Sequence, residues 1–572
     1  MKKLFRFFAG YKKDMVTAPL FKLLESLTEL IIPYIVANMI DIGVKNHDVK
    51  YIAIFGAVVV ALNIVGIVCA VFCQKFSARA SAGIAYEMRK SLYAHINTFS
   101  HQELDKFGTA TLNNRITHDV SRVRQAISGF LRLVMRAPFM LIGSIIMAMI
   151  IDLKLSLLFL VVAPLVTCVV VLILKITEPL YDKSQKNLDK VSEITRENLQ
   201  GTRVVRAFNK QSHEEERFQA ASLKLRKSST KVTNISALMM PLTGTIINFA
   251  IIAVIWFGGL QVNSGILTQG QIIAFVNYLT QLSMALISIA NYTVAFIKAS
   301  NCAKRINEVF DTHPSVSETN HDPLNIIQDK KVPKVEFRNV SFAYSGAAKN
   351  AVNNLNLVVM PGQTIGIIGG TGSGKSSIVN LIPRFYDATE GSVYIDGVDV
   401  KNYSFHELRS KMGIVPQKAV LFKGSLRENL KWRKRDATAE EITKAIKISQ
   451  SDEFVNELSG KYDYRIQAGG KNLSGGQRQR LTIARALVGD PEILILDDSA
   501  SALDFATDAS LRKAIKNDID STVFLVSQRA NTVKNADQIV VLENGNIVGI
   551  GKHKELIDSC PVYKEIYDSQ TK

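Results

Sequence analysis

Between Val232 and Ile297 the sequence contains no Asp, Glu, Lys, Arg or His. A helix crosses the hydrocarbon core of a bilayer with ~20 mostly apolar residues, so this stretch is long enough for two crossings. Gly258-Gly259 and Asn263-Ser264-Gly265 supply the expected turn between them. Tyr51–Gln74 and Leu155–Leu174 are also free of charge, and Gly129–Ile151 is apolar apart from Arg132 and Arg136. With Val16–Ile40 these segments predict six spans. The remainder is of another kind. The mean hydropathy is +0.12, yet 21% of the 572 residues are charged, which calls for a membrane-embedded part joined to a water-soluble one. Only 14 prolines and 47% hydrophobic residues exclude a disordered or collagen-like chain.

The formal charge is +18, from 69 Lys+Arg against 51 Asp+Glu. The segments Lys75–Ser128 and Lys175–Lys231 are rich in Lys and Arg, whereas the loops near 41–50, 152–154 and 258–271 carry few or none. Basic loops stay on the cytoplasmic side, so both long segments and both ends are expected there, in a multi-pass protein of the cell membrane. The loop bias accounts for the charge without a nucleic-acid partner. Residues 1–15, basic and aromatic, lack the apolar core of a signal peptide; they predict a short amphipathic helix whose Lys2, Lys3, Arg6, Lys12 and Lys13 face anionic headgroups. Five scattered cysteines without metal-ligand spacing predict neither a disulfide scaffold nor a zinc site.

Four charges fall at membrane depth: Glu25 and Glu29 in the first span, Arg132 and Arg136 in the third, each pair spaced i, i+4. Such residues are costly in lipid and face a cavity or one another. Two readings follow. They form a structural ion-pair ladder or sit at the cytoplasmic rim, or Glu25 and Glu29 line a substrate pathway that favours cationic ligands.

X-Pro steps at His313-Pro314, Asp322-Pro323 and Val332-Pro333 mark a linker, giving a membrane domain over 1–310, a linker over 311–331 and a soluble domain over 332–572. In the soluble domain, strand-like Thr364–Ile368 runs into Gly369-Gly370-Thr371-Gly372-Ser373-Gly374-Lys375-Ser376-Ser377 and then an apolar-periodic helix. This is a phosphate-binding loop in its strand–loop–helix setting. Backbone N–H groups surround phosphate oxygens, Lys375 reaches the β- and γ-phosphates, and Ser376 offers an oxygen to Mg²⁺. The buried-strand run Ile493–Leu496 ends in Asp497, a second anchor for Mg²⁺. Leu473-Ser474-Gly475-Gly476-Gln477 precedes another helix and forms a second anion nest.

At these residues the chain resembles the ABC ATPases, with Leu473–Gln477 matching their signature. With six spans ahead of it, the whole chain resembles an ABC exporter half-transporter: an α-helical six-span transmembrane domain followed by an α/β P-loop NTPase domain. The resemblance implies ATP and Mg²⁺ as ligands and several residue roles. Tyr344 stacks on adenine, Gln417 contacts Mg²⁺, Ser501 to Asp504 form the D-loop, and coupling helices lie near Thr109–His118 and Asn209–Glu216. It also implies a head-to-tail dimer in which the signature of one chain completes the ATP site of the other.

Two positions depart from the family pattern. The hydrolytic Glu after the Walker B Asp is here Asp498, and the switch His is Gln528. Asp withdraws the carboxylate by about one C–C bond, ~1.5 Å, and a misplacement near 1 Å costs roughly 100-fold in rate. Gln528 cannot become an imidazolium. These departures predict a degenerate site that holds ATP and hydrolyses it poorly, in a heterodimer with a competent second half-transporter. The expected cargo is a small amphiphilic compound, such as a drug or other xenobiotic. Lipid, peptide and siderophore transport, import on the same fold, and an ATP-gated regulatory or channel protein remain as alternatives.

Overall fold

The computed structural model describes residues 2–318 and 331–571. These divide into two units, residues 1–97 with 110–311 and residues 98–109 with 312–572. Most of the linker expected over 311–331 lies outside the described residues.

The first unit is helical. A 3₁₀ helix over Lys2–Tyr11 leads into α1 (Lys12–Asn38), followed by α2 (Val49–Ile96). The helix α3 (His101–Phe107) belongs to the second unit. A third long rod consists of α4 (Thr109–Asn114), α5 (Val120–Gly129) and α6 (Arg136–Ile151), joined by π-turns over Arg115–Asp119 and Phe130–Val134. Then come α7 (Leu153–Ala207), α8 (Gln211–Ala237), α9 (Met239–Asn263) and α10 (Gln269–Asp311). Among the described residues six helical stretches are long and apolar enough to cross a membrane. At 1.5 Å per residue the 55 residues of α7 reach about 80 Å, far beyond a bilayer core of ~30 Å.

Apolar side chains on α2, including Ile54, Val60, Ile64 and Ile67, are exposed, as a lipid-facing surface requires. The interior is filled by α7, α9 and α10: Phe159, Val166, Val254, Phe275, Tyr278 and Leu282 are fully buried. The expected turn at Gly258-Gly259 does not occur. There α9 continues to Asn263, because a Cβ on Gly258 would press to 3.1 Å of Ile272 and the glycine is a close-packing position instead; the chain turns at Gly265, where φ is +75°. The basic N-terminal residues are also not all free for headgroups. Lys3 pairs with Asp311 at 2.7 Å, and the Arg6 guanidinium lies 4.6 Å from the Phe310 ring centroid.

The second unit contains β1 (Val335–Phe342), β2 (Val352–Val359), β3 (Thr364–Gly369), α11 (Lys375–Leu381), β4 (Glu390–Ile395) and β5 (Val398–Asp399). Next come α12 (Phe405–Ser410), β6 (Met412–Val415), β7 (Gly424–Ser425), α13 (Leu426–Leu430), α14 (Ala439–Ile448), α15 (Asp452–Glu457), β8 (Arg465–Ile466) and α16 (Gly475–Leu487). The chain ends with β9 (Ile493–Asp497), α17 (Phe505–Asp518), β10 (Thr522–Val526), α18 (Ala530–Val533), β11 (Gln538–Glu543), β12 (Asn546–Gly551), α19 (His553–Ser559) and α20 (Pro561–Thr571). One sheet is antiparallel, in the order β2-β1-β4-β5; the larger runs β12-β11-β3-β10-β9-β6. In the larger sheet β3, β6, β9, β10 and β11 are parallel, so β3 and β9 deliver their carboxyl ends to the same edge, one strand apart. Ligands bind at that edge of an open α/β sheet.

Candidate functional site

β3 ends in the glycine-rich loop and α11 starts at Lys375. A Cβ on Gly369 would fall 2.6 Å from Ser373 Oγ, and Gly374 has φ +97° with the Ala351 carbonyl directly against its missing Cβ. Only glycine fits either place. The Lys375 Nζ donates to the carbonyls of Gly369 (2.9 Å) and Gly370 (2.6 Å). Burial pushes its pKa down, against the opposing pull of Asp498 and Asp497. Ser373 Oγ is buried without a hydrogen-bond partner among the described residues. A buried orphan hydroxyl is costly. Together with an ammonium held only by neutral carbonyls, it leaves the loop with donors to spare, which suits a polyphosphate. Thr371 and Gly372 form the exposed rim of the turn.

Ser376 Oγ donates to Asp497 Oδ1 at 3.1 Å, bringing the two expected metal anchors together. Burial raises the Asp497 pKa, and this hydrogen bond opposes the rise. Among the described residues no group of three or more His, Cys, Asp or Glu gathers at metal distance. Two protein oxygens with phosphate and water completing the shell match the habits of Mg²⁺. Gln417 is exposed two residues beyond β6.

Asp498 sits in the left-handed region, with φ +48°. Its N–H donates to Val526 O (2.9 Å), and its carbonyl accepts from the Ser501 N–H (3.3 Å) and hydroxyl (2.9 Å). Asp tolerates this conformation better than most residues, a feature no sequence pattern disclosed. The switch segment is likewise pinned by a residue that sequence reasoning missed. Gln570 of α20 donates to Gln528 O and accepts from Ala530 N–H, both at 2.8 Å, leaving the Gln528 side chain exposed.

The Tyr344 hydroxyl lies 3.0 Å from Ser377 Oγ. Its half-exposed ring stands edge-on to Phe342 and Tyr386, with centroids 4.8 and 5.3 Å away. Tyr386 in turn donates to Asp105 Oδ2 of α3 at 2.8 Å. Thus α3, just ahead of the segment expected near Thr109–His118, is the part of the connection between α2 and α4 that packs in the second unit. Ser100 and Glu103 close a capping box on it, and Glu103 also accepts from Ser315 N–H. His101 stacks on Phe385 at 4.3 Å; burial lowers its pKa, Asp105 raises it and Arg409 lowers it further. The tip near Asn209–Glu216 stays in the first unit and carries an exposed Phe208.

Ser474 caps α16, its Oγ accepting from Gln477 N–H while Gln477 Oε1 accepts from Ser474 N–H. Leu473 is buried, Gly475 meets open space and Gly476 approaches Ala502 O. No hydrogen bond joins 473–477 to 369–377 among the described residues. Asp504 is the N-cap of α17; bonds from Thr507 N–H (2.9 Å) and Oγ (2.7 Å) hold its carboxyl below the usual range.

In the helical unit the two acids part company. Glu25 is buried against Lys22 at 2.6 Å and is not among the residues that line the cavity bordered by Glu29. Glu29 borders a cavity of about 450 Å³ and is paired there with Arg136. The expected ladder fails at Arg132, because the π-turn over Phe130–Val134 turns that residue toward α2, where it donates to Gln74 at 2.5 Å.

Residues 15–286 match the family of ABC transporter transmembrane regions, and residues 352–501 match the ABC transporter family. An uncharacterized ABC transporter ATP-binding protein of Mycobacterium tuberculosis (strain CDC 1551 / Oshkosh) is 36% identical over 566 residues, 98% of this chain and 96% of the relative. An ATP-dependent lipid A-core flippase of Desulfotalea psychrophila is 32% identical over 540 residues, 94% of this chain and 93% of its own. Among solved structures, that of a bacterial Atm1-family ABC exporter with ATP bound has the same fold, with a TM-score of 0.82 at 24% identity and 99% coverage of both chains.

Proposed function

The chain belongs to the ABC transporters, with the membrane and ATPase parts of a half-transporter in one polypeptide, and from that premise we propose that it is the degenerate-site subunit of a heterodimeric exporter of amphiphilic compounds. The observation that carries this reading is the pairing of an intact phosphate loop and Ser376–Asp497 contact with Asp498 and Gln528 at the hydrolytic positions.

ATP is held by the N–H groups of residues 369–377 and by Lys375, which exchanges two carbonyl partners for phosphate oxygens and so gains a charge-assisted bond. Tyr344 supports adenine. Ser376 and Asp497, with Gln417, would hold Mg²⁺, which would supply charge neutralisation at the phosphates. The attacking water is poorly served. The Asp498 carboxylate stops short of a Glu position, and its pinned backbone cannot advance to compensate. Gln528 offers the γ-phosphate a neutral amide where the family's His can become a charged donor.

Leu473–Gln477 meets the partner's ATP, with Gly475 open to it, and Ser501 and Asp504 lie beside that contact. Both ends and the ATPase unit face the cytoplasm, on the basic side, and the exposed Phe208 tip docks on the partner. The relative named a lipid A-core flippase favours a second reading, lipid transport by the same cycle.

ATPase rates of the chain alone, of the pair with a partner carrying Glu and His, and of the pair with Asp498→Glu decide the matter. The lone chain is expected to be nearly inactive and the pair active. Asp498→Glu raises turnover at this chain's own site, and the partner's Glu→Gln change abolishes most of it. Full turnover by the chain alone, as a homodimer, overturns the asymmetric reading.

A further inference from the structure

Pro33 has no N–H, so the carbonyl of Glu29, four residues earlier in α1, loses its helical partner. Gln281 of α10 replaces it, its Nε2 donating to Glu29 O at 3.4 Å. That leaves Gln281 Oε1 buried with no partner among the described residues. Arg136 of α6 donates to Glu29 Oε2. Asn277, Thr280 and Ser288 extend this polar wall of the cavity, and Leu133, Met140 and Met284 form an apolar one. Its volume of about 450 Å³ lies within the roughly 300–1,000 Å³ usual for small-molecule sites.

The ion pair decides which ligand charge fits. A lone charge is costly at this depth, and Glu29 and Arg136 are counter-ions to each other. A purely cationic ligand that takes Glu29 strands Arg136; a purely anionic one that takes Arg136 strands Glu29. Stranding one member of a half-buried pair at this depth offsets the gain from binding the other. A group carrying both signs gives each side chain a new partner and leaves no charge alone.

We propose that this cavity binds amphiphiles with a zwitterionic headgroup, the ammonium at Glu29 and the Gln281 Oε1, the phosphate or carboxylate at Arg136, and the apolar tail along Leu133, Met140 and Met284. The assignment rests on the reading of the chain as a transporter of amphiphiles and replaces a cationic preference with a two-signed one. Glu25 takes no part, being held by Lys22.

The test uses the full chain in an uncharged maltoside detergent, titrated with a lysophosphatidylethanolamine, an alkylammonium and an alkyl phosphate of equal tail length, with binding read as ligand-dependent thermal stabilisation. Nanodiscs of phosphatidylethanolamine against phosphatidylglycerol distinguish a bilayer lipid from a soluble zwitterion as the source of the headgroup. The zwitterion is expected to bind tightest. Glu29→Gln or Arg136→Gln weakens it roughly ten- to a hundredfold, the worth of one charge-assisted hydrogen bond. Should a single variant fail to fold, the exchange Glu29→Arg with Arg136→Glu keeps the pair and retains zwitterion binding; a folded exchange variant that loses it overturns the proposal. Equal or tighter binding of the alkylammonium also overturns it. If that cation stimulates ATP turnover in the dimeric complex, the exporter reading survives and this assignment alone falls. If no amphiphile of any charge binds or stimulates, both fall.

Discussion

The two units differ in how their charged side chains are met. In the helical unit Glu25 pairs with Lys22 and Glu29 with Arg136, while Arg132 donates to the neutral Gln74; a charge at membrane depth is costly without a partner. In the ATPase unit the phosphate loop leaves Ser373 Oγ orphaned and gives Lys375 only carbonyls. The ion pairs close charges of the first unit within the chain, although Glu25 Oε2 and Gln281 Oε1 keep no hydrogen-bond partner among the described residues, and the phosphate loop of the second stays open for a ligand.

The largest expected effect lies on the open side. Lys375→Ala removes a cation from the loop and is expected to lower ATP affinity at this chain's own site by about 100-fold or more, two charge-assisted bonds at ~1.5–3 kcal/mol each, with little change in melting temperature. Labelled-ATP binding and a thermal melt on one sample check both halves; a large loss of stability would break the contrast.

On the closed side the order reverses. Arg136→Gln strands Glu29 and is expected to destabilise the helical unit by about 2 kcal/mol, less than the ~3–5 kcal/mol of a fully buried pair because both groups are a third exposed. Adding Glu29→Gln restores most of the loss. Thermal stability of the single and double variants measures the difference, and a double variant as unstable as the single one would show that the pair is not the cause.

The smallest effect concerns pH. His101 has a folded-state pKa lowered by burial against Phe385, so the unfolded chain, with a pKa near ~6.5, takes up the proton first. The stability contributed by neutral His101 is present above that value and is lost as the pH falls from it through the folded pKa. Melting temperatures of the α/β unit within the full chain should therefore fall below about pH 6.5 and fall less in His101→Phe. A slope unchanged by that substitution would place the titration elsewhere.

How much of this was legible depended on whether a signal was local. Charge-free runs marked the spans because bilayer thickness imposes a length, and the 369–377 loop declared itself because phosphate chemistry needs those residue types in that spacing. Ser100-x-x-Glu103 is a readable capping box, yet α3 as a whole is not announced by the sequence, since a seven-residue polar helix has too little periodicity to stand out from a loop. Arg132 and Arg136 share a spacing but not a face, and a π-turn between helices leaves no mark in composition. Gln570 was out of reach, lying 42 positions from the Gln528 carbonyl it holds.

Residues 98–109 fold with the ATPase unit although they lie in the sequence among the long helices. Order along the gene and membership of a folded body are here two different things. A soluble fragment cut at the linker would carry the sheet, the loop and every nucleotide-binding residue, yet lack the peg that covers Phe385 and gives Tyr386 its acceptor. Such a fragment has an uncovered aromatic socket at its surface, so the solubility of the ATPase half depends on a segment placed among the long helices.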